Sequence, residues 1–354
     1  MSKLVIGIHG LGNKPPRKML KRWWRTALRE GLTRIGYPLT PFRFELVYWA
    51  DILHPEPLDP RCPDPKDPLY LLTPYQPGPL TPARAPSPVR QKILDLIERQ
   101  VDRIILKDDF SINFSALTDI ILHRFFKDLE VYYSHSLPVN GRGSIPAKEL
   151  IRERLQRVLR DHAGDRILLI GHSMGTLIAY DVLAAPPYDI KVEDIYTLGS
   201  PLGIPVMVGK IAAEQRQRGE RPKVMRTPES VLGSWHNFSD LEDKVAFNYN
   251  LSDDYGPNSR GVRPIDHVVV NDYVHLGQKN PHKSYGYLRT PELALCMLGF
   301  LTRNWPSTVT WMHERLNRSL GALLYRKRIQ RPGPAQSRTR PRMARSRLKE
   351  RDSA

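Results

Sequence analysis

One stretch, residues 166–180, decides the fold of this chain and reads RILLIGHSMGTLIAY. Its apolar run, Ile167–Ile170, predicts a buried parallel strand, and an apolar helix pattern begins at Thr176. Between them, Gly171-His172-Ser173-Met174-Gly175 fits the Gly-x-Ser-x-Gly pattern of a sharp turn from strand to helix. The flanking glycines leave room for a serine in strained backbone angles. The sequence therefore predicts a nucleophilic Ser173 at the carboxyl end of a strand.

The helix that follows the turn adds an electrostatic argument. Its N-terminus carries the positive end of the helix dipole, and the backbone N–H of Met174 is placed to stabilise a negatively charged oxygen. The alternative is that Ser173 only shapes a tight turn, because a fold of this kind can keep its shape without catalysis. The rest of the chain has to decide between the two.

Strands and helices alternate on both sides of this stretch. Strands are predicted over 3–8, 42–49, 166–170, 194–198, 234–238 and 267–270, with helices after the first strand and over 146–162, 176–185 and 290–302. In the first helix the predicted inward stripe includes Met19 and Trp23, and Ser144 is the predicted cap of the helix at 146. This alternation predicts an α/β fold with a mostly parallel central sheet and helices on both faces.

The predicted core consists of residues 1–51 and 141–305. Residues 52–140 form an insertion: a Pro-rich extended segment followed by two helical patterns that predict a cap or lid. A helical extension is predicted over 306–330. From 331 to 354 the chain is rich in Pro, Ser and Arg without apolar period, which predicts a disordered tail.

The composition and the missing motifs limit the kinds of chemistry that this chain is expected to carry out. The chain has 354 residues, a net charge of +17 and two cysteines, Cys62 and Cys296, so a disulfide framework is not expected. No metal-binding motif, phosphate-binding loop or dinucleotide fingerprint is found, and neither a metal nor a cofactor is predicted. The N-terminus does not fit a signal peptide and no apolar run spans about 20 residues, so we expect a cytoplasmic protein.

Half of the positive charge is concentrated at the end of the chain. Residues 321–354 hold eleven Lys and Arg against Glu350 and Asp352, and so carry +9 of the +17. Such a tail suits an anionic membrane surface or a nucleic acid, although a solvated tail without a partner is an equal alternative.

These motifs resemble the α/β-hydrolase superfamily, specifically its lipase and esterase branch, in which Gly-His-Ser-Met-Gly is a frequent turn around the nucleophile. The resemblance covers about residues 3–302, apart from the insertion. It implies that the His9-Gly10-Leu11-Gly12 turn supplies a second oxyanion donor, the backbone N–H of Leu11, beside that of Met174. His9 itself is expected to be structural.

A serine nucleophile needs a histidine base and an acid that orients it. His275 and His282 both lie in the loop between the last strand and the last helix, where the base belongs. The residues around His282 resemble those at the base of lipase-like members, so we favour His282. By the same resemblance Asp243 is the acid, with Asp240 as the alternative, and either aspartate alternatively closes its turn through backbone bonds.

The sequence thus predicts a serine hydrolase that cleaves carboxylic esters through an acyl-enzyme on Ser173, with Asp243 and His282 completing the triad. The cap aromatics Phe125, Phe126, Tyr132 and Tyr133 suggest a roof over an apolar acyl pocket, and hence a small-molecule or lipid-like ester. An acyltransferase with the same triad is one alternative. A non-catalytic scaffold that binds anionic partners through its tail is the other.

Overall fold

The computed structural model describes residues 2–79, 81, 130, 132–134, 136–139, 143–186, 189–217, 225–246 and 249–329, with the backbone alone for 139, 206 and 320–329. The predicted cap helices, except for the end of the second, and the basic tail lie outside these residues.

A six-stranded sheet forms the centre of the molecule. In spatial order its strands are β2 (Arg43–Val47), β1 (Lys3–Ile8), β5 (Arg166–His172), β6 (Val192–Leu198), β8 (Val231–Asp240) and β10 (Pro264–Val269). Every neighbouring pair is parallel. The carboxyl ends of all six strands therefore meet at one edge, where ligand sites of such sheets form.

Within the described residues, three small two-stranded ribbons accompany the sheet. They are the antiparallel hairpin of β3 (Ser136–Val139) and β4 (Gly143–Pro146), the parallel pair of β7 (Met225–Arg226) and β9 (Tyr255–Gly256), and the antiparallel pair of β11 (Val274–His275) and β12 (Gln278–Lys279).

Helices cover both faces of the sheet, as predicted. The helices are α1 (Arg17–Arg34), α2 (Ala50–Leu53), α3 (Ala147–Asp161), α4 (Met174–Leu183), α5 (Pro205–Gln217), α6 (Leu251–Asp254), α7 (Ser284–Leu288), α8 (Pro291–Thr302) and α9 (Ser307–Ile329). Apolar side chains of α3, α4 and α5 form one core with the sheet. Those of α1, α7 and α8 form a second core on the opposite face. The order of strands and the two helical layers confirm the predicted α/β class.

Two local predictions were wrong. In α1 the inward indole is that of Trp24, 1% exposed, not Trp23. It lies where a side chain at Gly7 of β1 would be, since a Cβ there would stand 2.8 Å from the Trp24 ring. The first two positions of the predicted stripe are therefore displaced by one residue, with Leu20 buried in place of Met19, whereas its other two members, Ala27 and Leu28, are buried as predicted.

Ser144 does not cap α3. It pairs with Pro138 inside the β3–β4 hairpin, and the N-cap of α3 is Pro146 without a side-chain cap. The hairpin runs directly into the helix and leaves no loop in which Ser144 could reach the helix N–H groups.

After α2 the Pro-rich segment contains neither helix nor ladder over residues 54–79; an isolated bridge joins Asp59 and Tyr70. It is held against the chain that follows β10. The Tyr273 hydroxyl donates to the Pro74 carbonyl at 2.6 Å, and the Arg289 guanidinium donates to the Gln76 carbonyl at 2.6 Å.

In the part of the chain that the structure describes, no helix is long and apolar enough to cross a membrane.

Candidate active site

The turn after β5 has the strained geometry that its sequence predicts. Ser173 has φ 53° and ψ −127°, a region that residues with a side chain rarely adopt. Gly171 and Gly175 have no room for a side chain, because a Cβ at Gly171 would lie 2.9 Å from Thr176 Cα and one at Gly175 would overlap the Ile8 carbonyl. The backbone therefore holds the Ser173 hydroxyl at the N-terminus of α4, as a turn of this kind requires.

Three predicted residues meet through their side chains. His282 Nε2 lies 2.9 Å from Ser173 Oγ, and His282 Nδ1 lies 2.8 Å from Asp243 Oδ2. A carboxylate can only accept hydrogen bonds, so the one at Asp243 fixes the His282 tautomer with the proton on Nδ1 and leaves the lone pair of Nε2 toward the serine. The result is one unbroken line of hydrogen bonds from a carboxylate to a hydroxyl.

The Asp243 carboxylate is fully buried, whereas about a third of the His282 side chain is exposed. Two further donors hold the carboxylate: the Tyr287 hydroxyl to Oδ2 at 2.7 Å, and the Val245 N–H to Oδ1 at 3.0 Å. Both oxygens of the buried carboxylate therefore accept hydrogen bonds from within the protein.

His172, within the turn itself, contacts the loop that carries His282. Its Nε2 lies 2.7 Å from the His282 carbonyl, which only accepts, so this nitrogen carries the proton. Burial is the main cause that lowers the pKa of His172 well below its ordinary value, and the neighbouring His282 adds to it. A neutral His172 thus donates to the backbone of His282.

The turn after β1 passes directly against the serine. A Cβ at Gly10 would lie 2.8 Å from the Ser173 Cβ, so only glycine permits this approach. Among the described residues, no acceptor is found for the backbone N–H of Leu11 or of Met174. Lys14 Nζ donates to the Gly12 carbonyl at 2.9 Å and to that of Leu11, which holds the turn closed.

His9 is structural, in keeping with its expected role. It is 1% exposed, and its Nδ1 donates to the Gly10 carbonyl at 2.8 Å while its Nε2 accepts from the Trp49 N–H at 3.1 Å. Both ring nitrogens are therefore occupied in holding the turn.

The two alternative site residues lie elsewhere. Asp240 closes the turn after β8: its Oδ1 accepts from the Glu242 N–H at 2.8 Å and its Oδ2 from the Asn271 N–H at 2.6 Å. His275 belongs to β11, with its Nδ1 3.4 Å from Gln76 Nε2. Of the candidates considered, the structure brings only Asp243 and His282 to Ser173.

The aromatic residues predicted for the cap differ in where the structure places them. Phe125 and Phe126 lie outside the described residues. Tyr132 is 1% exposed and donates to Asp181 Oδ2 of α4 at 2.9 Å. Its ring belongs to the core between α3 and α4, which corrects the expectation that it roofs a pocket. Tyr133 is partly buried, and the Lys148 and Lys210 ammonium groups each lie 4.4 Å from its ring centroid.

Sequence reasoning missed three residues of this site, His172, Tyr287 and Lys283. His172 stands inside the predicted motif, yet nothing in a sequence shows that its ring reaches residue 282. Lys283 follows the histidine, donates to Thr73 Oγ1 at 2.6 Å, and has its pKa lowered by burial to about 8. These contacts join segments far apart along the chain.

The parallel sheet with helices on both faces, and the strained serine turn at its carboxyl edge, identify an α/β-hydrolase-fold protein, as the resemblance implied. Over residues 147–217, about a fifth of the chain, the sequence matches the protein family described as a PGAP1-like alpha/beta domain. The matched part runs from α3 through Ser173 to α5, so it contains the serine turn. This is an α/β-hydrolase-like family, which supports a hydrolase. A comparison with curated proteins gave no match.

Proposed function

We propose that the chain is a serine hydrolase that cleaves carboxylic esters through an acyl-enzyme on Ser173. The observation that carries the proposal is the line of hydrogen bonds from Asp243 through His282 to Ser173, with contacts of 2.8 and 2.9 Å. A serine hydroxyl is a weak nucleophile unless an adjacent base accepts its proton, and a base in this position makes nucleophilic catalysis possible.

The first half of the reaction forms the acyl-enzyme. Ser173 Oγ attacks the ester carbonyl carbon while His282 Nε2 takes the hydroxyl proton, and Asp243 stabilises the imidazolium that results. The negative charge that forms on the carbonyl oxygen is stabilised by the N–H groups of Leu11 and Met174. The tetrahedral intermediate then collapses, and His282 gives its proton to the departing alcohol.

The second half releases the acid. Water loses a proton to His282 Nε2 as its oxygen attacks the acyl carbon, and the same two N–H groups stabilise the second oxyanion. Collapse breaks the bond to Ser173 Oγ, which recovers its proton from His282. An acyltransferase would use an alcohol or amine in place of water at this step, so the two activities differ only in the acceptor.

The test compares wild type with Ser173→Ala on nitrophenyl esters of graded acyl length and on a fluorophosphonate probe. We expect turnover to fall by about 10⁴-fold or more and labelling to be lost. The control is Ser252→Ala, because Ser252 is an exposed serine on α6 and its variant should keep both signals. Equal turnover in wild type and Ser173→Ala would contradict the proposal, and an unlabelled, inactive but folded wild type would favour the scaffold. Adding an alcohol acceptor and measuring transesterified product distinguishes transfer from hydrolysis.

We also propose that α9 and the basic tail together bind an anionic membrane surface, which would bring the protein close to a lipid-like substrate. Val309, Met312 and Leu316 recur at helical spacing and are 43%, 56% and 51% exposed. Residues 321–354, which carry a net charge of +9, follow this apolar face along the sequence. An apolar helix face beside a cationic segment is the combination that binds anionic lipid surfaces.

Sedimentation with vesicles tests this second proposal. We expect binding to vesicles that contain phosphatidylserine, weakened by salt and by Met312→Glu, and little binding to neutral phosphatidylcholine vesicles. Thr310→Glu, on another side of the same helix, is the matched control for added charge. Binding that Met312→Glu leaves unchanged would contradict a role for α9, and salt-sensitive binding to RNA alone would indicate a nucleic-acid partner instead.

A further inference from the structure

Three potential metal ligands meet on the face of the sheet that α1 and α8 cover, away from the serine site. His236 lies in β8, His267 in the edge strand β10 and Cys296 in α8. His236 Nδ1 is 2.8 Å from His267 Nε2 and 3.7 Å from Cys296 Sγ, and one ligand atom of each residue lies within 4.8 Å of those of the others. Residues from three separate elements thus point at one small volume.

The sequence gives no sign of this group, because its members are separated by 31 and 29 positions and form no local motif. Parallel pairing aligns Asp266 with Asn237 and His267 with Phe238, so His236 and His267 are diagonal neighbours on adjacent strands. The proximity of the three side chains is a product of the tertiary fold.

We propose that His236, His267 and Cys296 form a binding site for a divalent transition-metal ion, with zinc the best suited. Imidazole nitrogen and thiolate sulfur are the donors that Zn²⁺ prefers, at about 2.0–2.1 Å and 2.3 Å respectively. Tetrahedral geometry with those lengths places the two nitrogens about 3.3 Å apart and each nitrogen about 3.6 Å from sulfur. The observed 3.7 Å already agrees, and the 2.8 Å between the rings has to open by about half an ångström.

Zinc binding also determines where the protons of the three side chains go. Each ring binds through a nitrogen that carries no proton, His236 through Nδ1 and His267 through Nε2, and keeps its proton on the nitrogen that faces away from the ion. The bound cation displaces the proton of the Cys296 thiol to solvent.

Charges of both signs lie near the three side chains. The carboxylates of Asp194 and Glu292 are close enough to act on Cys296, and the Arg303 guanidinium is close enough to act on His236. Arg303 is itself paired with Asp194 at 2.8 Å. All three ligands are only partly buried, so an ion and a water molecule as fourth ligand can reach them from solvent.

Such an ion would join the edge strand β10 to β8 and α8. The histidine ligands lie in the middle of their strands, whereas Asp240 ends β8 and Asp243 follows it, so this is a separate site from the one around Ser173. Bound metal therefore stabilises the edge of the sheet and takes no part in the chemistry on the ester. The inference does not depend on the proposed hydrolase activity.

The test uses untagged full-length protein, stripped with a chelator and titrated with Zn²⁺ and separately with Co²⁺. We expect one equivalent of Zn²⁺ to bind and Tm to rise by about 5 °C at a hundredfold excess over Kd. Co²⁺ should give a thiolate-to-metal absorption band near 300–350 nm together with visible bands of about tetrahedral intensity. The absorption band reports directly on the sulfur ligand.

Variants decide whether these residues are the ligands. Cys296→Ala and His267→Gln should each weaken Zn²⁺ binding by about 100-fold, and Cys296→Ala should abolish the thiolate band. Cys62→Ala removes the other cysteine and is the matched control, which should leave binding, band and Tm shift unchanged. The metal-free Tm of each variant shows that it is folded. A wild type that binds no Zn²⁺ at micromolar concentration, or binding that Cys296→Ala leaves intact, would overturn the proposal and leave a simple hydrogen-bonded histidine pair.

Discussion

The hydroxyl of Tyr287 lies 2.7 Å from Oδ2 of Asp243, the same carboxylate oxygen that is 2.8 Å from Nδ1 of His282. Tyr287 also accepts from the Asp240 N–H at 3.0 Å, so its hydroxyl is oriented from both sides. The buried carboxylate is therefore held by a donor that does not itself titrate in the neutral range, because burial, with Asp243 nearby, raises the tyrosine pKa well above its ordinary value. Tyr287 thereby helps to fix the Asp243 oxygen that contacts His282.

Tyr287→Phe should lower kcat by about tenfold with little change in KM, since it removes one donor to Asp243 and leaves the Asp240 N–H without its acceptor. The kcat and KM of both proteins are measured on the same ester. Tyr285→Phe, a neighbouring buried tyrosine, is the control. A kcat equal to that of wild type would show that the hydroxyl does not act on the site.

Exchanging the two neighbouring aspartates for asparagine separates their roles. Asp243→Asn should reduce kcat by about 10³- to 10⁴-fold, because the amide no longer stabilises the imidazolium. Asp240→Asn should keep kcat within about tenfold and lose about 1–2 kcal/mol of unfolding free energy, since Asp240 accepts from two backbone N–H groups. Turnover and urea unfolding are measured on both variants. The opposite pattern would move the acid to position 240.

Ser173→Gly should be more stable than Ser173→Ala by about 1 kcal/mol, although both are expected to be inactive. The reason is the backbone at φ 53°, which glycine adopts freely and alanine does not. Urea unfolding of the two variants gives the difference. Equal stabilities would mean that the turn relaxes when the side chain is removed.

His172 should act as a positioning residue through its bond to the His282 carbonyl. We expect His172→Phe to lower kcat by about 10- to 100-fold with KM nearly unchanged, because the backbone carbonyl of His282 loses its hydrogen-bond donor. His172→Gln retains an N–H donor and should recover part of that loss, which a purely packing role would not predict. If the phenylalanine and glutamine variants lose the same activity, the hydrogen bond is unimportant.

Mild acid should destabilise the fold through His9 and His172. Burial lowers the folded-state pKa of both well below the ordinary value of about 6.5. The unfolded chain therefore takes up protons that the folded chain excludes, and stability is lost as pH falls below about 6.5, by up to about 1.4 kcal/mol per pH unit for each histidine.

Urea midpoints at pH 7 and pH 5.5 measure this loss. His172→Gln should reduce the pH dependence, whereas Ser252→Ala, which removes no titrating side chain, should leave it as in wild type. A midpoint that does not fall between the two pH values would contradict the predicted linkage.

The sequence was sufficient for those parts of the site that depend on local geometry. The strand, turn and helix around Ser173 lie within fifteen residues, and apolar period and glycine spacing determine them. Asp240 and Asp243 could not be separated, because both close a turn through their own backbone bonds. Only the packing of Tyr287 and His282 against one carboxylate distinguishes them.

The features that the sequence did not predict depend on contacts between residues that are far apart in the sequence. Trp23 and Trp24 are adjacent and equally apolar, and the choice of the inward indole depends on the space above Gly7 in another element. The group of His236, His267 and Cys296 likewise exists only once two strands and a helix are placed side by side. Local pattern carries no information about such partners.

The Pro-rich segment has a consequence for the engineering of shorter forms of this protein. Three hydrogen bonds join this segment to the chain around His282. They pair Thr73 with Lys283, Pro74 with Tyr273 and Gln76 with Arg289, and these partners lie on both sides of His282 in the sequence. A deletion beginning at residue 52 would remove these hydrogen bonds together with the rest of the insertion. A shortened form of the protein should therefore keep residues 54–79 and be joined after them, so that the segment around His282 keeps these hydrogen bonds.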